Sequence, residues 1–344
     1  MNILIRATNW VGDAVMSIPA LRAIRDLYPS SRITVLARPS VAELYGREDF
    51  ADQVLLCHDR GIRARLRLAS ELRAQGFDCA ILLPNSFDAA LLAWLARIPR
   101  RVGYDRDARR FLLTEAIPVP ASGSIPPHQR FYYLELLRRA GFLEALPDCP
   151  EIRLQADPSA GRELFRSFGL GANRIIGVSP GAAFGSAKRW LPERFAEAAS
   201  ALTLEHDAEV AVFGTPSEAE LCASVTRSIG TRAHNLAGRT SLAQFLDLAA
   251  ACLAFLTNDS GAMHIVSAAG VPTIAVFGPT DHLSTGPSAP LARIVRTPVE
   301  CSPCLLRECP IDHRCMTRVA TDTVVAEVRQ LVALSLHGHP NQDH

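Results

Sequence analysis

The sequence predicts an α/β protein built of two doubly wound halves, and three observations predict it. Short β-branched and apolar runs alternate with amphipathic stretches, the pattern of parallel sheets covered by helices. The alternation breaks once, over 147–158, where three prolines and acidic residues leave no long apolar face, and then it restarts. The length of 344 residues exceeds the roughly 100–200 residues of one ordinary domain.

In the first half the strand candidates are 3–7, 33–37, 54–56, 79–83 and 101–103, and the helical patterns fall near 18–27, 62–75, 88–96 and 130–140. The second half repeats the scheme with strands at 175–179, 210–213, 253–257 and 273–277 and helices near 193–203, 218–228, 242–251 and 263–269. Domains of 1–155 and 156–344 are expected, with the last helix, about 323–334, crossing back onto the first and the polar tail 337–344 fraying.

Composition narrows the class. A chain 48% hydrophobic and 21% charged, with mean hydropathy +0.11, belongs with packed globular proteins. A net charge of +1 gives no general field for nucleic acid, so any anion must be met locally. The first residues read as a strand and not as a leader, and the longest apolar run, 248–256, is about half of the ~18–20 residues a membrane helix needs. Nine cysteines with no export signal point to reduced thiols in the cytoplasm.

In doubly wound sheets ligands lie beyond the carboxyl ends of the strands, so the loops entering helices are the candidate sites. The first is Asn9-Trp10-Val11-Gly12-Asp13, where Gly12 permits a tight turn and Asp13 stands at a helix mouth. Spacing alone favours Asp13 as a helix cap; the functional reading is a carboxylate that takes a proton from a hydroxyl. The second runs from Ser179 through Gly181 to Lys188, small residues whose amides meet an anion and a lysine that adds charge, against a solvated lysine before a helix. Trp190 beyond it reads as a packing residue.

The third loop carries Asp259, Ser260, Gly261, Ala262 and His264. Its helix start offers unpaired amides and about half a positive charge to a diphosphate, and His264, one turn on, shares the face. A cap by Asp259 or Ser260 with a core-facing histidine explains the same residues equally well. Glu218, after Phe213-Gly214-Thr215, suits ribose hydroxyls or simply complements a helix dipole. Neither a G-x-G-x-x-G dinucleotide fingerprint nor a G-x-x-x-x-G-K-[ST] phosphate loop is present, which argues against a dehydrogenase and an ATPase.

Together the N-W-V-G-D at 9–13, S-P-G-A at 179–182, K-R-W-L-P at 188–192, N-L-A-G-R-T-S-L at 235–242, N-D-S-G-A-M-H at 258–264 and F-G-P-T-D at 277–281 resemble the ADP-heptose:lipopolysaccharide heptosyltransferases. The N-W-V-G-D entrance, the P-N-S-F at 84–87 and the cysteine-rich tail are most like heptosyltransferase II, which adds the second heptose.

The resemblance implies a GT-B fold, two Rossmann-like domains facing each other across a cleft, and an inverting transfer from ADP-heptose to the heptose I residue of the lipid-linked inner core. It implies no cofactor and no catalytic metal. Carried over, Asp13 matches the general base and Lys188 the lysine near the donor phosphates. Ser179, Gly181, Asp259, Ser260, Gly261, Ala262 and His264 match donor-binding positions, Glu218 a ribose-binding glutamate, and Asn9, Trp10 and Gly12 the acceptor-side loop. Ala183 and Phe184 stand where heptosyltransferase I carries hydroxyl residues. A cytoplasmic enzyme in peripheral contact with the inner membrane follows.

Cys301, Cys304, Cys309 and Cys315, spaced C-x2-C-x4-C-x5-C, suggest a structural zinc knuckle, with free thiols as the alternative. Arg60, Arg63, Arg65 and Arg67, and Arg106, Arg109 and Arg110, form two basic strips for a phosphorylated acceptor, although such arginines commonly are only solvated. Another ADP- or UDP-sugar transferase or an epimerase would share the build. A non-catalytic two-lobed sugar-binding protein would too, but it is ordinarily exported.

Overall fold

The computed structural model describes residues 1–58, 61–148, 152–171 and 173–337. They divide into two compact units, Met1–Ile152 and Arg153–His344. Arg60 and the end of the tail lie outside the described residues.

The first unit runs β1 (Asn2–Arg6), α1 (Val11–Met16), α2 (Ile18–Leu27), β2 (Arg32–Ala37), α3 (Pro39–Tyr45), β3 (Gln53–Leu56), α4 (Ile62–Ala74), β4 (Cys79–Leu82), α5 (Phe87–Leu95), β5 (Arg100–Tyr104), β6 (Glu115–Ile117) and α6 (Gln129–Arg139). Its described strands form one parallel sheet in the order β3-β2-β1-β4-β5-β6. Ile3, Leu4 and Ile5 on β1 are buried because a central parallel strand is covered on both faces. The order reverses between β1 and β4, so the loops leaving those two strands flank the crevice where such sheets take ligands.

The second unit runs α7 (Pro158–Ser167), β7 (Ile175–Ser179), α8 (Pro192–His206), β8 (Glu209–Val212), α9 (Ala219–Ile229), β9 (Ala233–Asn235), α10 (Leu242–Ala250), β10 (Ala254–Asn258), α11 (Gly261–Ala268), β11 (Thr273–Val276), α12 (His282–Thr285), β12 (Ala292–Val295), α13 (Arg314–Thr317) and α14 (Thr321–His337). Its described strands are parallel in the order β12-β11-β10-β7-β8-β9, with the reversal between β7 and β10. Ser179 pairs with Thr257 across that point, which brings the loops after both strands side by side.

Val324, Val325, Val328, Leu331 and Val332 fall on one face of α14 at helical spacing, and that face is buried in the second unit's own core against α8, β11 and β12. Among the described residues no helix is long and apolar enough to cross a membrane.

Candidate active site

In the first unit the loop after β1 enters α1 earlier than expected. Trp10 is the residue before the helix, and Gly12 lies inside it, so the tight turn expected at Gly12 is a helix start. Asp13 consequently sits in the first turn and does not cap: Trp10 holds the capping position, with no side-chain cap bond. The Asp13 carboxylate accepts a hydrogen bond from the Tyr133 hydroxyl on α6 at 3.1 Å. Burial, and next the negative charge of Asp13, raise the Tyr133 phenol well above its ordinary range, so it remains an O–H donor. Asn9 accepts from the Arg6 guanidinium at 2.8 Å, which steadies the loop, while the Trp10 indole is exposed.

The loop after β4 reaches the same aromatic patch. Asn85 donates to the Tyr132 hydroxyl at 2.9 Å, and the Tyr132 ring lies 5.9 Å from Tyr133, edge to face. Arg109 fastens this loop from beneath, donating to the carbonyls of Pro84, Ser86 (3.2 Å) and Tyr104 (3.0 Å). The residue is wholly buried, and burial lowers its guanidinium pKa to about 10. Arg109 therefore is not part of a basic strip facing an acceptor. Arg65 is engaged with Asp88 at 2.5 Å and Arg110 with Asp105 at 2.7 Å, while Arg63, Arg67 and Arg106 are exposed.

In the second unit the expected loops converge. Lys188 Nζ lies 2.6 Å from a carboxylate oxygen of Asp259, and Thr280 Oγ1 donates to that same oxygen at 2.5 Å. Three loops, those after β7, β10 and β11, are joined at this one carboxylate. Asp259 is 4% exposed, a buried charge that requires its cation. The capping role weighed for Asp259 and Ser260 is not the one found. Ser260 precedes α11 with no side-chain cap bond, its hydroxyl being 3.2 Å from that of Thr257. The first-turn amides of α11, from Gly261 and Ala262 onward, thus point out of the helix start uncapped by a side chain. His264 is buried within α11 beside Met263 and Ile265.

Glu218 closes the near side. It ends a short 3-10 turn, where one carboxylate oxygen accepts from the Thr215 amide and hydroxyl, both at 2.9 Å. The other oxygen lies against Gly181, so close that a Cβ there would come within 2.1 Å of it. Gly181 is thus a glycine because a carboxylate packs on its backbone. Ser179, at the end of β7, is buried. Trp190 is a packing residue as read, stacked edge to face on Phe195 at 5.0 Å with its indole N–H on the Val319 carbonyl.

Sequence reasoning missed two residues that organise this site. Asn258, fully buried, accepts from the Trp190 amide at 2.9 Å and donates to the Pro180 carbonyl at 2.8 Å, holding the lysine loop to β10. Thr280 was visible only as a letter in F-G-P-T-D. A buried carboxylate two loops away is what gives it a task. The cysteine-rich segment, too, is drawn in: Ala187 donates to the Arg307 carbonyl at 3.0 Å, and His313 Nε2 donates to the Ala187 carbonyl at 2.7 Å. Among the described residues no group of three or more His, Cys, Asp or Glu is arranged to hold a metal ion. Burial, then the neighbouring Cys301, Cys309 and Cys304, push the Cys315 thiol up to about 11.

Two parallel α/β units, with a carboxylate in the first helix of one and a lysine and uncapped helix-start amides at the switch point of the other, have the build of a nucleotide-sugar transferase of the GT-B kind. The model of glycosyltransferase family 9 (heptosyltransferase) matches residues 65–314, and the chain belongs to that family. It is 34% identical over 309 residues to lipopolysaccharide heptosyltransferase 2 of Salmonella typhimurium, covering 86% of this chain and 88% of that one. The Escherichia coli heptosyltransferase 2 is 33% identical over the same shares. The solved structure of E. coli ADP-heptose lps heptosyltransferase II superposes with a TM-score of 0.86 at 30% identity, over 98% of this chain and all of that one. The chain is therefore a glycosyltransferase, and these likenesses do not favour the epimerase or sugar-binding readings.

Proposed function

We propose that the protein transfers L-glycero-D-manno-heptose from ADP-heptose to the heptose I residue of the lipopolysaccharide inner core, with inversion at the anomeric carbon. The observation that carries this is the Lys188–Asp259–Thr280 cluster at the uncapped start of α11. Fixed amides and a lysine there act where charge grows as the bond from the anomeric carbon to the β-phosphate oxygen breaks. In this reading Glu218, whose second oxygen faces Gly181, serves as the acceptor for ribose hydroxyls.

Asp13 takes the proton of the acceptor hydroxyl as its oxygen forms the new bond to the anomeric carbon, from the face opposite the ADP. The electron pair of the broken bond leaves with ADP, so the products are the extended core, ADP and a proton on Asp13. Tyr133 holds the carboxylate, and Asn9, Trp10 and Gly12 shape the acceptor side. The charge on the leaving group falls to the chain's own cations and amides, and the reading requires no metal. Work on a lipid-linked acceptor implies a cytoplasmic enzyme visiting the inner membrane.

Nucleotide release from a panel of ADP- and UDP-sugars, with core acceptors carrying no heptose or one, tests the reading. ADP-heptose with the singly heptosylated core is expected to be preferred. Preference for a UDP-sugar, or for the core without heptose, contradicts it.

A further inference from the structure

The cysteine-rich loop is stitched to the donor side at more than its Ala187 contacts. Ser302 Oγ donates to the Gly278 carbonyl at 2.6 Å and the Leu305 amide to the Pro279 carbonyl at 2.8 Å, so the loop leans on the segment that carries Thr280. A Cβ at Gly185 would come within 2.2 Å of the Arg307 carbonyl oxygen, which ties the lysine loop to Arg307 by backbone contact. The Arg307 carbonyl is therefore held by the main chain of the lysine loop, while the residue is exposed.

That side chain and Lys188 share one aromatic ring. Lys188 Nζ lies 4.9 Å, and the Arg307 guanidinium carbon 5.3 Å, from the centroid of Phe184. Phe184 stands where the first-heptose subtype has a hydroxyl residue, and here its ring seats two cations. The two differ in one respect. The charge of Lys188 is offset by Asp259 at 2.6 Å, whereas among the described residues the Arg307 guanidinium makes no ion pair and no hydrogen bond. A diphosphate meeting only the nearly neutral lysine–aspartate pair would gain little net attraction, because the carboxylate repels it as the ammonium draws it in.

We propose that Arg307 is the second cation of the donor-phosphate site, a binding residue that grips the diphosphate of the nucleotide sugar and that the cysteine-rich loop exists in part to deliver. This rests on the donor reading given above. A guanidinium seated over a ring can offer its fork of N–H groups to phosphate oxygens.

Calorimetric titration of the full chain with ADP and with adenosine tests it, for wild type, Arg307→Ala and Arg307→Lys. Wild type should bind ADP well above adenosine. Arg307→Ala should lose about 10-fold in ADP affinity, the scale of one charge-assisted hydrogen bond, with adenosine affinity and Tm unchanged. Arg307→Lys should recover part of the loss. The ADP affinity of Arg307→Ala should also fall less steeply with added salt than that of wild type. A variant that keeps the whole preference for ADP overturns the role of Arg307 while leaving the donor site standing. A wild type indifferent to the phosphates overturns the donor site and this inference with it.

Discussion

The Tyr133 hydroxyl donates to the Asp13 carboxylate across 3.1 Å, joining the last helix of the first unit to its first. Both groups lie within one unit, so the carboxylate is oriented whether or not substrate is present. Tyr133→Phe removes the donor and keeps the ring. It should lower kcat about 10- to 150-fold, the scale of one hydrogen bond to a charged group, and leave the KM for the donor sugar unchanged. Steady-state kinetics against both substrates checks this; a raised donor KM with intact kcat would count against it.

The Lys188–Asp259 pair predicts a separation of stability from activity. Lys188→Ala should lower Tm, because it strands a carboxylate that is 4% exposed, and should lower kcat/KM by about 100-fold or more. Adding Asp259→Asn to it should restore most of the Tm and none of the activity. Thermal melts and kinetics on the single and double variants read the two effects apart.

Gly181→Ala places a methyl group where Glu218 now sits, with 2.1 Å between them. Glu218 must turn away, and the capping box with Thr215 goes with it. The donor KM should rise several-fold while kcat at saturating donor changes little. Kinetics at varied donor concentration decides this.

Glu135 on α6 supplies a pH test. Its hydrogen bond to Arg138 at 2.7 Å, joined by Arg139 at 2.6 Å, holds its carboxyl below the ordinary range against the opposing effect of burial. A carboxyl with a depressed folded pKa stabilises the fold above its unfolded value, about 4.3, and loses that contribution as pH falls through the lower folded value. Glu135→Gln should therefore cost about 1–2 kcal/mol at neutral pH, a gap that closes toward acid. Denaturant titrations at several pH values measure it.

Much of this was legible in the sequence. Long apolar strands such as β1 and β7 announced themselves, and the loops after them were placed correctly because a parallel sheet gathers ligands at one edge. The short strands β6, β9 and β12 were missed, since a run of three or four residues shows little alternation. Asp13 was read at the mouth of a helix that in fact begins two residues earlier, at Val11. Arg109 was grouped with its exposed neighbours because the carbonyls that enclose it come from Pro84 and Ser86, remote in sequence. The same holds for Asn258 and Thr280, whose partners lie on other loops.

The central claim is that Asp13 removes the acceptor proton while the second unit binds the nucleotide. Single-turnover transfer from ADP-heptose by Asp13→Asn, with ADP affinity measured in parallel, tests it most directly. Turnover should fall by about 10²- to 10⁴-fold with ADP affinity unchanged; transfer at the wild-type rate would contradict it.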